Sequence, residues 1–195
     1  MTTSRTIELI ERLGLLLRTH TRQRAAAHGL QPVHVQALDY LARCNRYSNT
    51  PLAVARYLHA TKGTVSQSLR LLEQRRLLRR NPDPGDRRVV HLRLTARGRK
   101  VLGQCRTPGE GGNSGKDSEA ASDDELIERG LDRLLRTLQA ENGFRTFGQC
   151  CTCRHLVRET EQMRCGLTGE RLRPEETTQI CHEHAVPESA PVAVL

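Results

Sequence analysis

The stretch TKGTVSQSLRLLEQRRLLRRNPDPGDRRVVHLRLTARGRKVL, residues 61–102, decides the fold. Its apolar rhythm changes twice. Val65, Leu69 and Leu72 recur at helical spacing, so Thr61–Leu78 reads as a helix with one inward face. Two short strand-like runs then flank NPDPGD, residues 81–86, a cluster of turn formers. TARGRKVLGQC, from Thr95, returns to a helical pattern with Thr95 as its cap. A helix followed by a basic two-stranded hairpin is the core of a winged helix-turn-helix.

The flanking segments complete that unit. NTPLAVARYLHA, residues 49–60, gives a short helix that Thr50 caps and Pro51 starts. QPVHVQALDYLARC, residues 31–44, gives another, with Val35, Leu38, Leu41 and Ala42 inward. Ile7, Ile10, Leu13 and Leu17, widened by Leu9 and Leu16, mark a long first helix from about Thr6 to His28, which Gly29 stops. The expected fold class is mainly α with a small β-wing: a winged helix-turn-helix over 1–105, a helical dimerisation segment and a small Cys-rich tail module. Residues 106–122 are rich in Gly, Ser and acids and read as a flexible linker. Residues 123–143 resume as an amphipathic dimerisation helix with a stripe of Leu126, Ile127, Leu131, Leu134, Leu135 and Leu138. Residues 144–184 form the Cys-rich module, and 185–195 read as a frayed end.

Charge points to the partner. The net charge is +9, and it is not dispersed. Lys62–Arg106 holds 13 Lys/Arg against 3 Asp/Glu, whereas Thr107–Gly143 holds 4 against 9. A basic block on a helix-hairpin unit predicts a polyanion, here double-stranded DNA. The N-terminal end of the recognition helix offers Thr61, Lys62, Thr64, Gln67 and Ser68 to base edges and phosphates, with Arg70 one turn on. The hairpin tip offers Arg87 and Arg88, suited to a narrow minor groove. Aromatics are 3% and Trp is absent, which favours Leu- and Ala-rich helical packing. No apolar run reaches a membrane span, and Glu8, Glu11 and Arg12 break up the N-terminal apolar positions, so neither a membrane segment nor a signal peptide is expected; the expected location is cytoplasmic. No nucleotide loop, catalytic acid pair or nucleophile–base pair is visible, which disfavours an enzyme.

DPGDRRVVHLRLTARGRKVL, residues 83–102, resembles the wing signature of the MarR family of transcription regulators, through Asp86, Arg88, Leu94, Thr95 and Gly98. The recognition helix is similar too, except that Arg76 stands where a glycine commonly follows. The resemblance covers about Thr6 to Gln104. It implies a homodimer on a pseudo-palindromic operator, with Arg88 in the minor groove and Asp86 orienting it; the expected action of the regulator is repression. Some members sense oxidants through one cysteine, a role open to Cys44; core packing is the expected role of Cys44.

The tail raises separate chemistry. Five of the seven cysteines lie in it. The spacing Cys150-x2-Cys153-x11-Cys165-x15-Cys181 gives one knuckle and two isolated thiols, a four-sulfur set for a metal centre. An iron–sulfur cluster of the [4Fe-4S] type is the expected cofactor; a structural zinc is the alternative. The one-knuckle pattern resembles high-potential iron–sulfur proteins and small cluster-binding subunits of some glycyl-radical enzymes. Cys151 would point away from such a centre, His184 could compete for a place in it, and His182 and His155 are weaker competitors. The expected function is a dimeric DNA-binding regulator whose tail senses redox or metal state.

Overall fold

The computed structural model describes residues 4–106, 118–159 and 162–187. The described residues divide into two compact units, 4–106 in the first and 118–159 with 162–187 in the second.

The first unit runs α1 (Ser4–Ala27), α2 (Pro32–Arg43), α3 (Pro51–Tyr57), α4 (Lys62–Gln74), β1 (Leu78–Pro82), β2 (Val90–Leu94) and α5 (Ala96–Cys105). It is the winged helix-turn-helix that the sequence predicts. Three of these helices start where threonine caps put them. Thr50 accepts from the Ala53 N–H at 3.2 Å, Thr61 from the Thr64 N–H at 3.2 Å and Thr95 from the Gly98 N–H at 2.9 Å. Leu38, Tyr40, Val54, Val65, Leu69, Leu72, Leu78 and Leu92 are fully buried and form one core between α2, α3, α4 and the hairpin. The one aromatic at its centre keeps its hydroxyl satisfied: Tyr40 Oη donates to the Ser48 carbonyl at 2.9 Å.

Left-handed residues end α1 and α4, as His59 (φ +48°) does α3. Gly29 (φ +62°) closes α1, with its N–H on Ala26 O and the Leu30 N–H on Ala25 O. Arg76 (φ +58°) does the same for α4, with its N–H on Glu73 O and the Leu77 N–H on Leu72 O. Arg76 thus sits in a left-handed conformation that favours glycine, the residue that commonly stands there.

The second unit contains α6 (Ser118–Glu141), a 3-10 turn (Cys150–Thr152), the strands β3 (Leu156–Arg158), β4 (Met163–Cys165) and β5 (Arg171–Leu172), and the short α7 (Pro174–Thr177). The sequence reading placed the start of this helix at 123 and gave the Cys-rich segment no strands. The helix begins five residues earlier, and the segment folds into a three-stranded antiparallel sheet of order β3-β4-β5. Strands of two or three residues are too short to show a period in sequence. Most of the expected linker, 107–117, and most of the expected frayed end, 188–195, lie outside the described residues. No helix among the described residues is long and apolar enough to cross a membrane.

Candidate nucleic-acid interface and thiol module

The hairpin tip is built by two aspartates. Asp83 Oδ1 accepts from the N–H groups of Gly85 and Asp86 at 2.8 and 2.9 Å, which closes the NPDPGD turn. Asp86 then grips Arg88 three times: Oδ1 accepts from its backbone N–H and from Nε, both at 3.0 Å, and Oδ2 accepts from Nη2 at 3.2 Å. The Arg88 side chain is nonetheless 91% exposed, so the carboxylate aims a fully solvated guanidinium outward. Its side-chain and backbone hydrogen bonds from Arg88 hold the Asp86 carboxyl below the usual range; those from Asp86, His91 and Gly85 do the same for Asp83. Arg87 is exposed beside them.

On α4 the residues proposed for the groove separate by face. Thr61, Lys62, Thr64, Gln67 and Arg70 are exposed. Ser68 is 7% exposed, and its hydroxyl donates to the Thr64 carbonyl at 2.9 Å, so it faces the core and not a groove. Thr61 also has a structural duty as the cap of α4, and its hydroxyl lies 2.9 Å from that of Thr64. Ser66, absent from the sequence-based set, is exposed between Lys62 and Arg70 on the same helical row. Its neighbours at i−4 and i+4 are the signal that could have found it.

Sequence reasoning also missed what fastens the wing to the helical body. His91 on β2 lies between two acceptor-bearing side chains: Nδ1 is 2.5 Å from Asn49 Oδ1, and Nε2 is 3.0 Å from Asp83 Oδ2. The Leu92 N–H donates to Asn49 O at 2.7 Å. Asn49, just before α3, and the wing turn are thus one hydrogen-bonded chain. Nothing in sequence spacing links positions 49, 83 and 91; the pairing of β1 with β2 does, by setting Asn81 opposite His91 and Pro82 opposite Val90.

The second unit brings the cysteine-bearing turns together through its backbone. The Cys153 N–H returns to Cys150 O at 3.1 Å, closing the knuckle. Gln149 bridges Ile180, and the Cys181 N–H donates to Gly148 O at 2.9 Å, which sets the Cys181 turn beside the knuckle. Cys165 pairs with Leu156 across β3 and β4, three residues beyond Cys153. The Ala185 N–H points at Cys153 Sγ at 3.5 Å. No disulfide joins any of the seven cysteines. Among the described residues, no group of three or more His, Cys, Asp or Glu side chains is drawn close enough to hold a metal ion.

The competing ligands have other duties. His184 is buried, with Nδ1 2.5 Å from Thr146 Oγ1 and Nε2 3.0 Å from Thr152 Oγ1. Both of its ring nitrogens are therefore occupied, and burial holds it below the usual histidine range. His182 pairs with Glu183 at 2.9 Å. Cys151 lies within 3.5 Å of Gln149 Oε1. In the first unit, Cys44 follows the last residue of α2, and burial pushes its thiol up to about 12, which removes the thiolate that an oxidant would need. Cys105 is buried at the end of α5, and burial raises its thiol too.

Residues 28–89 match the sequence model of the MarR family, a family of transcription regulators and not of enzymes. Solved structures share the fold. The MarR family transcription regulator SP03579 aligns with a TM-score of 0.53 at 16% identity, over 70% of this chain and 92% of its own. The transcriptional regulator Tm0710 from Thermotoga maritima aligns with a TM-score of 0.50 at 21% identity, over 72% and 97%. A cysteine-to-serine mutant of MarR from E. coli aligns with a TM-score of 0.50 at 20% identity, over 64% and 94%. No curated protein matches the chain.

Proposed function

We propose that this chain, which carries the MarR-type regulator fold, binds duplex DNA as a cytoplasmic homodimer at a pseudo-palindromic operator and represses transcription there. The observation that carries the reading is the Asp86–Arg88 tip: a carboxylate holds one guanidinium in a forked grip while leaving it 91% exposed, at the end of a basic hairpin. An aimed, solvated arginine suits the negative potential of a minor groove, and Lys62, Gln67 and Arg70 on α4 suit the adjacent major groove. Two readers are needed because one small module contacts too few base pairs for specificity. Two exposed apolar stripes support the dimer. Leu9, Leu13, Leu16 and Leu17 on α1, and Leu126, Ile127, Leu131 and Leu135 on α6, are all at least 43% exposed. Stripes of that size on a soluble helix call for cover by a second copy.

The test uses a duplex selected by the full-length protein from a random-sequence pool. Arg88→Ala should weaken binding at least about tenfold, the scale of losing a groove-inserted arginine, with the far-UV spectrum unchanged. Equal affinity of the variant and the parent at physiological salt overturns the reading.

The finer part concerns the tail. Cys150, Cys153, Cys165 and Cys181 are the proposed ligands of an iron–sulfur cluster that reports redox state to the reader. Support comes from the donor set and the backbone. The knuckle and the Cys181 turn are pinned side by side, an N–H already points at Cys153 Sγ, and the nearby imidazoles of His182 and His184 have other partners. When bound, such a cluster supplies one-electron redox chemistry and couples tail folding to its own presence. Anaerobic purification with iron, sulfide and zinc analysis tests it. Stoichiometric zinc in a colourless protein replaces the sensor with a structural staple.

A further inference from the structure

The wing sheet carries a charge arrangement that lies apart from the residues singled out above on α4 and at the wing tip. Arg79 and Arg93 are direct cross-strand partners in the β1–β2 pair, and both are exposed. Like charges directly opposite one another weaken a strand pair, so the arrangement costs stability unless something neutralises it. These two arginines line a cavity of about 340 Å³ together with Arg46 and Arg99. No acidic side chain lines it. Its apolar floor includes Leu41 and Leu92. Arg99 is partly fixed, donating from Nη1 to the Leu94 carbonyl at 3.2 Å, and Arg46 lies 5.0 Å from the Tyr47 ring centre.

We propose that this cavity binds a small oxyanion carrying two or more negative charges, such as a phosphorylated or polycarboxylate molecule. Planar guanidinium forks match paired oxygens in both groups, and the volume is that of a small-molecule site. None of the residues assigned to DNA, on α4 or at the wing tip, lines the cavity. The site is wired to the wing all the same. Asn49 lines the cavity, its Oδ1 faces His91, its carbonyl holds the Leu92 N–H, and His91 in turn meets Asp83, which shapes the turn that presents Arg88. An anion seated beside Asn49 acts on the same hydrogen-bonded chain that sets the wing.

The experiment is isothermal titration of the full chain, without DNA, by pyrophosphate and by citrate, with chloride adjusted to constant ionic strength. The parent should show saturable binding at one site per chain. Arg79→Gln with Arg93→Gln should weaken it at least about tenfold, because two charge-assisted forks are lost. Arg97→Gln with Lys100→Gln removes the same charge from exposed positions of α5 outside the cavity and should leave binding within about twofold. Urea unfolding checks the fold: relieving the cross-strand repulsion should leave the midpoint of the Arg79/Arg93 variant equal or higher. Absence of saturable binding in the parent, or equal weakening by both double variants, overturns the proposal. So does a result in which the parent ignores both anions while Arg79→Gln with Arg93→Gln weakens duplex binding, which makes these arginines phosphate contacts. Because the titration contains no DNA, its outcome is independent of whether the operator reading holds.

Discussion

Gly98→Ala tests the packing on which the wing stands. Gly98 lies in the first turn of α5, against the chain leaving α4. A methyl group built there would sit 2.0 Å from the Leu77 carbonyl oxygen, 2.9 Å from its carbon and 3.2 Å from Leu94 Cδ2. The two tightest contacts are backbone atoms of Leu77, so the give of the Leu94 side chain cannot relieve them. The Leu77 carbonyl cannot retreat without loss, because it accepts the Thr95 N–H at 3.0 Å and the Thr95 hydroxyl at 3.2 Å. Overpacking of this kind costs roughly 1–3 kcal/mol, with the upper end apt for a backbone clash, and a lost hydrogen bond adds about 1 kcal/mol. Alanine's better helix propensity returns about 1 kcal/mol. The net expectation is a loss of about 3 kcal/mol, a large share of the roughly 5–15 kcal/mol that holds a domain together. In urea, this lowers the midpoint by roughly 1–3 M. Gly103→Ala is the control: it lies on the same helix with nothing within 4 Å of the added carbon, and should raise stability by roughly 0.5–1 kcal/mol. If both variants move the midpoint upward, the close approach of α5 to Leu77 is not present in solution and the argument falls.

Four further outcomes follow from the same structure. Arg76→Gly should stabilise the first unit by roughly 1 kcal/mol in urea unfolding, since it removes a left-handed non-glycine strain; a loss of stability would show that the Arg76 side chain matters more than its backbone. Thr61→Ala should cost about 1 kcal/mol of stability through the lost α4 cap, and Thr61→Ser should restore it; a stable Thr61→Ala variant would leave DNA contact as the only duty of Thr61. His34 is buried, its Nδ1 accepts the Gln31 N–H at 3.0 Å, and burial followed by the Arg75 charge holds its pKa down. A depressed pKa means that the unfolded chain takes the proton first, so this contribution is present above about pH 6.5 and fades as pH falls below it; His34→Gln should flatten that slope in thermal unfolding. In the tail, serine at Cys150, Cys153, Cys165 or Cys181 should each empty the centre, while Cys151→Ser should retain the metal; retention by Cys150→Ser with loss by Cys151→Ser would reverse the ligand assignment.

The sequence carried the first unit because its signals are local and redundant. Thr50, Thr61 and Thr95 mark helix starts by a side chain bonding three residues ahead, and the change from helical to strand rhythm at Leu78 needs only the neighbouring residues to be visible. The Asp86–Arg88 pair was legible for the same reason, being two residues apart. Position 76 was legible as a departure, but only the backbone angle shows why glycine is usual there. Ser68 read as exposed, being a polar residue on that helix, whereas the packing of α4 turns it inward, where its hydroxyl donates to the Thr64 carbonyl. The Asn49–His91–Asp83 chain, the opposition of Arg79 to Arg93, and the setting of the Cys181 turn beside the Cys150 knuckle join residues 8 to 42 positions apart. Sequence determined which residues could make those contacts; strand register and turn closure, which depend on the whole packed chain, decided which of them meet.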